Sequence, residues 1–195
     1  MTEEEAVGWC EARFSGGEMD RLSRYVALLT EEAARQNLVS AATLSSAWSR
    51  HIVDSAQLAC LLRPGSVVDI GSGAGLPGIV LACLDHPMTL VEPRPRRVDF
   101  LRRCVQHLEL NCSIFPVKAA QAKGVFANIV GRAVSPPSTF INDTQHLATK
   151  TTRWVLPAGR SAYTWESLPL PFHVEQSVTD ADAGIIVAEQ PGEGP

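Results

Sequence analysis

No stretch of this chain approaches the roughly 18 consecutive apolar residues that a membrane-spanning helix needs, so a membrane protein is not expected. The opening Met1-Thr2-Glu3-Glu4-Glu5 carries neither the basic nor the apolar region of a secretory leader. It is also too acidic for a transit peptide, and a soluble cytoplasmic protein is expected. The five cysteines (Cys10, Cys60, Cys83, Cys104 and Cys112) are odd in number and scattered. Without a Cys-x-x-Cys pair among them they read as reduced packing residues, with no metal and no disulfide. Internal repeats and low-complexity segments are absent. Lysine is scarce and arginine is not, which favours bidentate contacts to phosphate over diffuse attraction. A net charge of −4 argues weakly against a nucleic-acid partner, so the local distribution of charge has to decide.

What is present is enough for one globular unit. With 195 residues, 45% of them hydrophobic, the chain can bury a substantial core. The organising stretch is Val67-Val68-Asp69-Ile70-Gly71-Ser72-Gly73-Ala74-Gly75-Leu76-Pro77-Gly78, followed by an apolar run over 79–84. A continuously apolar segment bounded by glycines predicts a buried parallel strand, a tight turn and a helix. Glycines leave no side chain between loop and ligand, and the amides of such a turn are expected to face whatever binds. Met88-Thr89-Leu90-Val91-Glu92 reads as the next strand. It ends in a carboxylate about 20 residues beyond the loop, where a ribose-binding acid belongs.

Around this centre the pattern alternates. An amphipathic helix is predicted over 18–36 and a second from Ser45 or Ser46 to the stop at Arg63-Pro64-Gly65. His51 and Asp54 share a face of the latter. A helix over 95–110, strands over 112–117 and 126–130, a helix from Pro137 towards His146, and strands over 153–156, 172–175 and 184–188 complete an α/β doubly wound sheet. The expected organisation is an N-terminal helical segment, 1–63, packed on a core, 64–190, with a flexible tail, 191–195.

Gly73-Ala74-Gly75-Leu76-Pro77-Gly78 matches the dinucleotide pattern literally, yet its register is wrong. Counted from Gly71, the first glycine after the strand, the third glycine position holds Leu76. Asp69 two residues before that glycine, with Glu92 downstream, is the arrangement of S-adenosylmethionine methyltransferases. Their cofactor is cationic and carries no phosphates, so nearby carboxylates are tolerable.

Asn37-Leu38-Val39-Ser40, Arg50-His51-Ile52-Val53-Asp54-Ser55, the glycine loop with Leu76-Pro77-Gly78, Arg96-Arg97-Val98-Asp99-Phe100-Leu101 and Gly131-Arg132-Ala133, in this order, resemble the RsmG (GidB) family. These are the small-subunit (16S) ribosomal RNA guanine-N7 methyltransferases. The resemblance implies a Rossmann-like fold with N-terminal helices, S-adenosyl-L-methionine as cofactor, and a guanosine of ribosomal RNA, free or in an assembling subunit, as target. It places cofactor contacts at Gly71, Leu76 and Arg132, with Glu92 on the ribose, and a monomer is expected. Asp69, Ser72 and Gly73 belong to the same loop. The adenine side falls on 119–122, where this chain reads Ala-Ala-Gln-Ala against the family's Arg-Ala-Glu-Glu, leaving the backbone amides of Ala120 and Gln121 to serve. Near Gly159 the family often carries a lysine, and here only Arg160 supplies charge.

Guanine N7 has a lone pair and no proton to lose, so positioning dominates and no base is required. Arg132 is the candidate catalytic residue, since arginine fits the N7/O6 edge. Arg94, Arg96, Arg97, His51 and Arg160 are the candidate RNA contacts. Ser135-Pro136-Pro137-Ser138 partly resembles the motif of amino methyltransferases. An exocyclic amine of another RNA or protein is therefore an alternative target, and a catalytically weak RNA-binding remnant a third reading.

Overall fold

The structure is a computed structural model and describes residues 1–165 and 167–190. The tail expected at 191–195 lies outside the described residues. Two capped helices open the chain. In α1 (Glu3–Glu11) and α2 (Gly16–Ala33), Thr2 with Glu5 and Ser15 with Glu18 form reciprocal capping boxes. The sequence reading passed over α1, although Thr2-x-x-Glu5 is the signature of such a start.

The helix expected between Ser45 and Arg63 is broken in kind rather than continuous. After the short α3 (Ala41–Leu44) come a π-helical turn (Trp48–Val53), one α turn, α4 (Asp54–Ala56), and a 3-10 turn (Gln57–Leu61). The π turn begins where Glu3 of α1 accepts hydrogen bonds from the amides of Trp48 at 2.9 Å and Ser49 at 2.8 Å, and from the Ser49 hydroxyl at 2.7 Å. Short π-helical turns of this type collect at functional sites.

The core alternates as expected through β1 (Val67–Ile70), α5 (Gly78–Cys83), β2 (Met88–Val91), α6 (Pro95–His107), β3 (Cys112–Phe115), β4 (Asn128–Val130), α7 (Pro137–Thr144) and β5 (Arg153–Gly159). β6 (Phe172–Gln176) and β7 (Gly184–Glu189) follow. The seven strands form one sheet in the order β3-β2-β1-β4-β5-β7-β6. β1 to β5 are parallel, while β7 runs antiparallel to both its neighbours. The doubly wound alternation stops at β5 because only the short segment 177–183 joins β6 to β7, and a turn of that length can make only a hairpin.

Packing joins the N-terminal helices to the sheet. Ala6, Cys10, Leu22, Tyr25 and Leu29 share one buried cluster with Ile79, Leu81, Phe100 and Leu101. Polar ties fasten α2 along its length. Arg21 donates to the Cys83 carbonyl at 2.7 Å and to Asp85 at 2.8 Å, and Glu32 pairs with Arg103 of α6. The Tyr25 hydroxyl, fully buried, donates to the carbonyl of Ala74 in the glycine loop at 2.8 Å. Among the described residues no helix is long and apolar enough to cross a membrane, and no cluster of three His, Cys, Asp or Glu side chains could hold a metal.

Candidate active site

Register places the site. Ile70 lies opposite Val91 and Asp69 opposite Val130, so Gly71, Glu92 and Gly131 emerge side by side at the carboxyl edge of the sheet. Ligands bind at that edge in open α/β folds. Gly71 has φ +72°, and a Cβ there would meet Val134 at 2.9 Å, so any side chain would collide with the loop after β4.

The loop amides do not point at a ligand, contrary to expectation. Gly71 and Ser72 donate to the Val91 carbonyl at 2.8 and 3.1 Å. Gly73 donates to Glu92 Oε2 at 2.9 Å, Leu76 to the Ser72 carbonyl at 3.3 Å, and Gly78 to Asp69 Oδ2 at 3.1 Å. With these donors committed, the loop offers no cradle for a pyrophosphate. Carboxylates surround it instead. Asp69 is fully buried and its Oδ1 has no partner, while burial pushes its pKa up to about 7. An orphaned carboxylate oxygen beneath a loop with no anion nest suits a cationic, phosphate-free cofactor. S-adenosylmethionine meets that requirement and NAD does not.

Beside the loop is a cavity of about 260 Å³ lined by Gly71, Glu92, Arg94, Arg97, Ala119 and Val134, among others. Glu92 is almost completely buried, its Oε1 accepting the Arg94 amide at 2.9 Å. Its remaining lone pairs are available to a ribose. Ser72 is buried, its hydroxyl bonded to the Asp69 carbonyl at 3.0 Å, and Leu76 packs into the core below. Both therefore shape the loop from beneath. The expected adenine-side amides need one correction. The Gln121 amide is bonded to the Lys118 carbonyl at 2.9 Å inside the 3-10 turn (Ala119–Gln121), and that turn reaches the cavity through Ala119.

Arg132 follows β4 and precedes Ala133, which holds φ +55°. Such a conformation is uncommon for a residue with a Cβ and costs about 1–3 kcal/mol where the surroundings impose it. The guanidinium turns to the π turn and α4, meeting Asp54 Oδ2 at 3.1 Å, the Arg50 carbonyl at 3.4 Å and His51 Nδ1 at 3.5 Å. His51 is buried, its Nε2 at 3.0 Å from Thr43 Oγ1, and burial aided by Arg132 lowers its pKa to about 4. His51 is thus a neutral support behind Arg132, and the expectation that it meets RNA is corrected by its enclosure.

The expected basic patch divides. Arg94 and Arg96 are exposed, whereas Arg97 turns inward, 3.9 Å from Glu92. Arg102 pairs with Asp99 at 3.3 Å, and Arg160, though exposed, is met by Asp180 at 3.5 Å and Asp182 at 3.4 Å. Arg97 and Arg160 therefore arrive already compensated. Reversing the charge of Arg94 and Arg96 together is expected to weaken RNA binding and reduce the slope of log affinity against log salt by about 2. Filter binding at several salt concentrations checks this, and an unchanged slope would show that the patch faces away from RNA.

Asp69 makes a second measurable prediction. In the unliganded protein its raised pKa means that the folded chain holds a proton the unfolded chain releases. Asp69 therefore costs stability as pH rises from about 3.8 to about 7. His51 contributes oppositely between about 4 and 6.5. A bound cation favours the Asp69 carboxylate, so the rise in Tm on adding S-adenosylmethionine should be larger at pH 8 than at pH 6. Asp69→Asn should flatten that difference, and an undiminished pH dependence in the variant would remove Asp69 from cofactor binding.

A second, larger cavity of about 500 Å³ adjoins the first through Ala133 and Val134, which line both. Arg132, Ser135, Pro136, Pro137, Phe140 and Trp165 are among its walls. Trp165, which directly follows the 3-10 turn Arg160–Thr164 and matches no sequence motif, is a wall residue that sequence reasoning missed.

The model of the GidB family, described as rRNA small subunit methyltransferase G, matches residues 18–167. The chain is 43% identical over 199 residues to the Ribosomal RNA small subunit methyltransferase G of Sphingopyxis alaskensis, covering 95% of this chain and 85% of that protein. It is 40% identical over 200 residues to the protein of the same name from Erythrobacter litoralis, covering 95% of each. Among solved structures, a methyltransferase from Geobacter sulfurreducens matches 86% of this chain and 89% of its own with a TM-score of 0.59 at 13% identity, a likeness of fold. With its glycine loop, buried acids and Arg132 fork in place, the chain belongs to the GidB family of rRNA small subunit methyltransferases.

Proposed function

We propose that this protein transfers the methyl group of S-adenosylmethionine to N7 of a guanosine in 16S ribosomal RNA, acting in the cytoplasm as a monomer. The observation that carries the reading is the pair of joined cavities. One is bordered by Glu92 and by a glycine loop whose amides are already bonded, and the other is bordered by the Arg132 guanidinium. A single chain supplies both, which supports action without a partner subunit. The cofactor, when bound, supplies an electrophilic methyl on a sulfonium.

The chain's own part is positional. Glu92 fixes the loop and can take ribose hydroxyls, and Asp69 favours positive charge above it. Arg132 has used three of its five donor directions on Asp54, Arg50 and His51, and a remaining one can hold O6 of guanine while the N7 lone pair stays free. With the cofactor bound, its methyl would pass to the N7 lone pair and the sulfur would keep the electrons of the broken bond, so the chain's task is to hold the base in line. No proton moves, in agreement with a site whose histidine is buried and neutral.

A second reading, transfer to an exocyclic amine, draws on one observation: Ser135, Pro136 and Pro137 line the larger cavity. The position after them is Ser138, which offers no ring for stacking. Ribosomal RNA from cells lacking the protein, incubated with purified protein and S-adenosylmethionine, tests the choice. Borohydride reduction followed by aniline cleaves the strand at an N7-methylguanine and at one position only, whereas an amine-methylated product leaves it intact and would establish the second reading.

A further inference from the structure

The turn that joins β6 to β7 closes on the segment carrying Asp54, and one buried side chain makes the junction. Gln57 opens the 3-10 turn (Gln57–Leu61) and is only 4% exposed. Its Oε1 accepts the Val178 amide at 2.9 Å, and since a backbone N–H can only donate, this contact fixes which end of the side-chain amide is which. The NH2 end therefore faces Asp54, reaching its Oδ1 at 3.3 Å and its carbonyl at 3.2 Å, and Ser177 Oγ at 3.2 Å. The Thr179 hydroxyl, from the same turn, donates to Asp54 Oδ1 at 3.4 Å. One carboxylate oxygen is thus occupied by donors, and the other, Oδ2, is presented to Arg132 at 3.1 Å.

We propose that Gln57 is a positioning residue for methyl transfer, acting through Asp54 to set the direction in which Arg132 meets the base. This rests on the reading of Arg132 as the group that holds guanine. Of the three contacts that orient the guanidinium, the one to Asp54 is the shortest and the only one between opposite charges, the Arg50 carbonyl and His51 Nδ1 standing at 3.4 and 3.5 Å. Such a charge-assisted bond is about twice as strong as a neutral one, so the carboxylate governs where the fork points. A carboxylate turns about its bond to the β-carbon unless both oxygens are held, and Gln57 with Thr179 holds the second. The charged or titratable groups that the packed segments carry here are Arg50, His51 and Asp54, Arg132 after β4, and Asp180 and Asp182 on the turn, both met by Arg160. His51 is neutral above its lowered pKa of about 4, so a pH step in a variant at position 57 reports the group introduced there.

The test measures single-turnover methylation of ribosomal RNA from cells lacking the protein, at saturating S-adenosylmethionine and between about pH 5.5 and 8, at a temperature where melting curves show every variant folded. Gln57→Met keeps the length of the side chain and loses both polar ends. Its rate should fall about five- to tenfold at every pH, the contribution of one hydrogen bond. Gln57→Glu should stay near the parent at the acid end, where burial and the Asp54 charge favour the neutral acid, whose O–H replaces the amide donor. Towards the alkaline end it should fall to the Gln57→Met level, as the acid ionises and sets a second negative charge beside Asp54. Both variants should bind S-adenosylmethionine as the parent does, and neither change should lower the rate further in an Arg132→Ala background. Gln57→Met at the parent's rate, a Gln57→Glu rate that does not vary with pH, or a loss that recurs undiminished in Arg132→Ala protein overturns the proposal. An Arg132→Ala protein as active as the parent overturns the reading of Arg132 itself, and the role of Gln57 with it. A methyl group found on an amine, with the Gln57 pattern as stated, supports the positioning role and overturns methylation at N7.

Discussion

Replacing Arg132 with alanine is expected to lower single-turnover methylation by roughly 10- to 100-fold, the range that one hydrogen bond from a charged donor contributes. Cofactor affinity should change far less, because Arg132 borders the larger cavity and not the one beside Glu92. Arg132→Lys should recover little, since one ammonium cannot span Asp54, the Arg50 carbonyl and a base edge together. The pH profile is the sharper readout. With His51 held neutral down to about 4, the rate should stay flat from pH 5.5 to 8 once cofactor saturation is ensured at each pH. His51→Ala should shift the level of that profile through loss of support behind Arg132, without changing its shape. A sigmoidal step near pH 6.5 that vanishes in His51→Ala would establish a histidine base and displace Arg132 from its assigned role.

Glu92→Ala is expected to weaken S-adenosylmethionine binding by roughly 100-fold or more, through two charge-assisted hydrogen bonds at about 1.5–3 kcal/mol each. The structure adds a second route to that loss. The same carboxylate holds the amides of Gly73 and Arg94, so its removal frees the loop as well as the ribose. Glu92→Gln should fall between, since its oxygen can still accept from one amide while its amino group faces the other. Calorimetry gives the affinity, and hydrogen exchange at the Gly73 amide reports the loop. Unchanged affinity, or tighter binding of NAD than of S-adenosylmethionine, would reject the cofactor assignment.

The sheet was legible because its strands are short, apolar and punctuated. Val67-Val68-Asp69-Ile70 is buried at every position, as an unbroken apolar run foretells, and Asp69 stood out there as the exception with a purpose. The parallel order could be read from alternation as far as β5. Beyond it the antiparallel hairpin depends on the brevity of a connection, which periodicity does not report. The π turn was invisible for a related reason: widening a helix by one residue per hydrogen bond leaves composition and spacing almost unaltered. Glu92 was found from its distance beyond the glycines. The use of the loop amides was not, because which carbonyl approaches an amide is decided by strand register. Arg97 illustrates the same limit. In the sequence it is one of a run of arginines, and only the fold brings it against Glu92.

The Glu3 carboxylate fastened to Trp48 and Ser49 has a consequence for how the protein can fail. The glycine loop hangs from Tyr25 and Glu92, whereas the Arg132 fork hangs from Asp54 and His51 on the turn that α1 steadies. The two chemical tasks thus hang from different polar ties, although Ala6 and Cys10 of α1 share the core of Tyr25. Loss of the Glu3 carboxylate alone is expected to loosen the turn behind Arg132 and leave the cofactor loop in place, giving an enzyme that loads its cofactor but presents it poorly to RNA. Screening variants by cofactor retention alone would count such a protein as healthy.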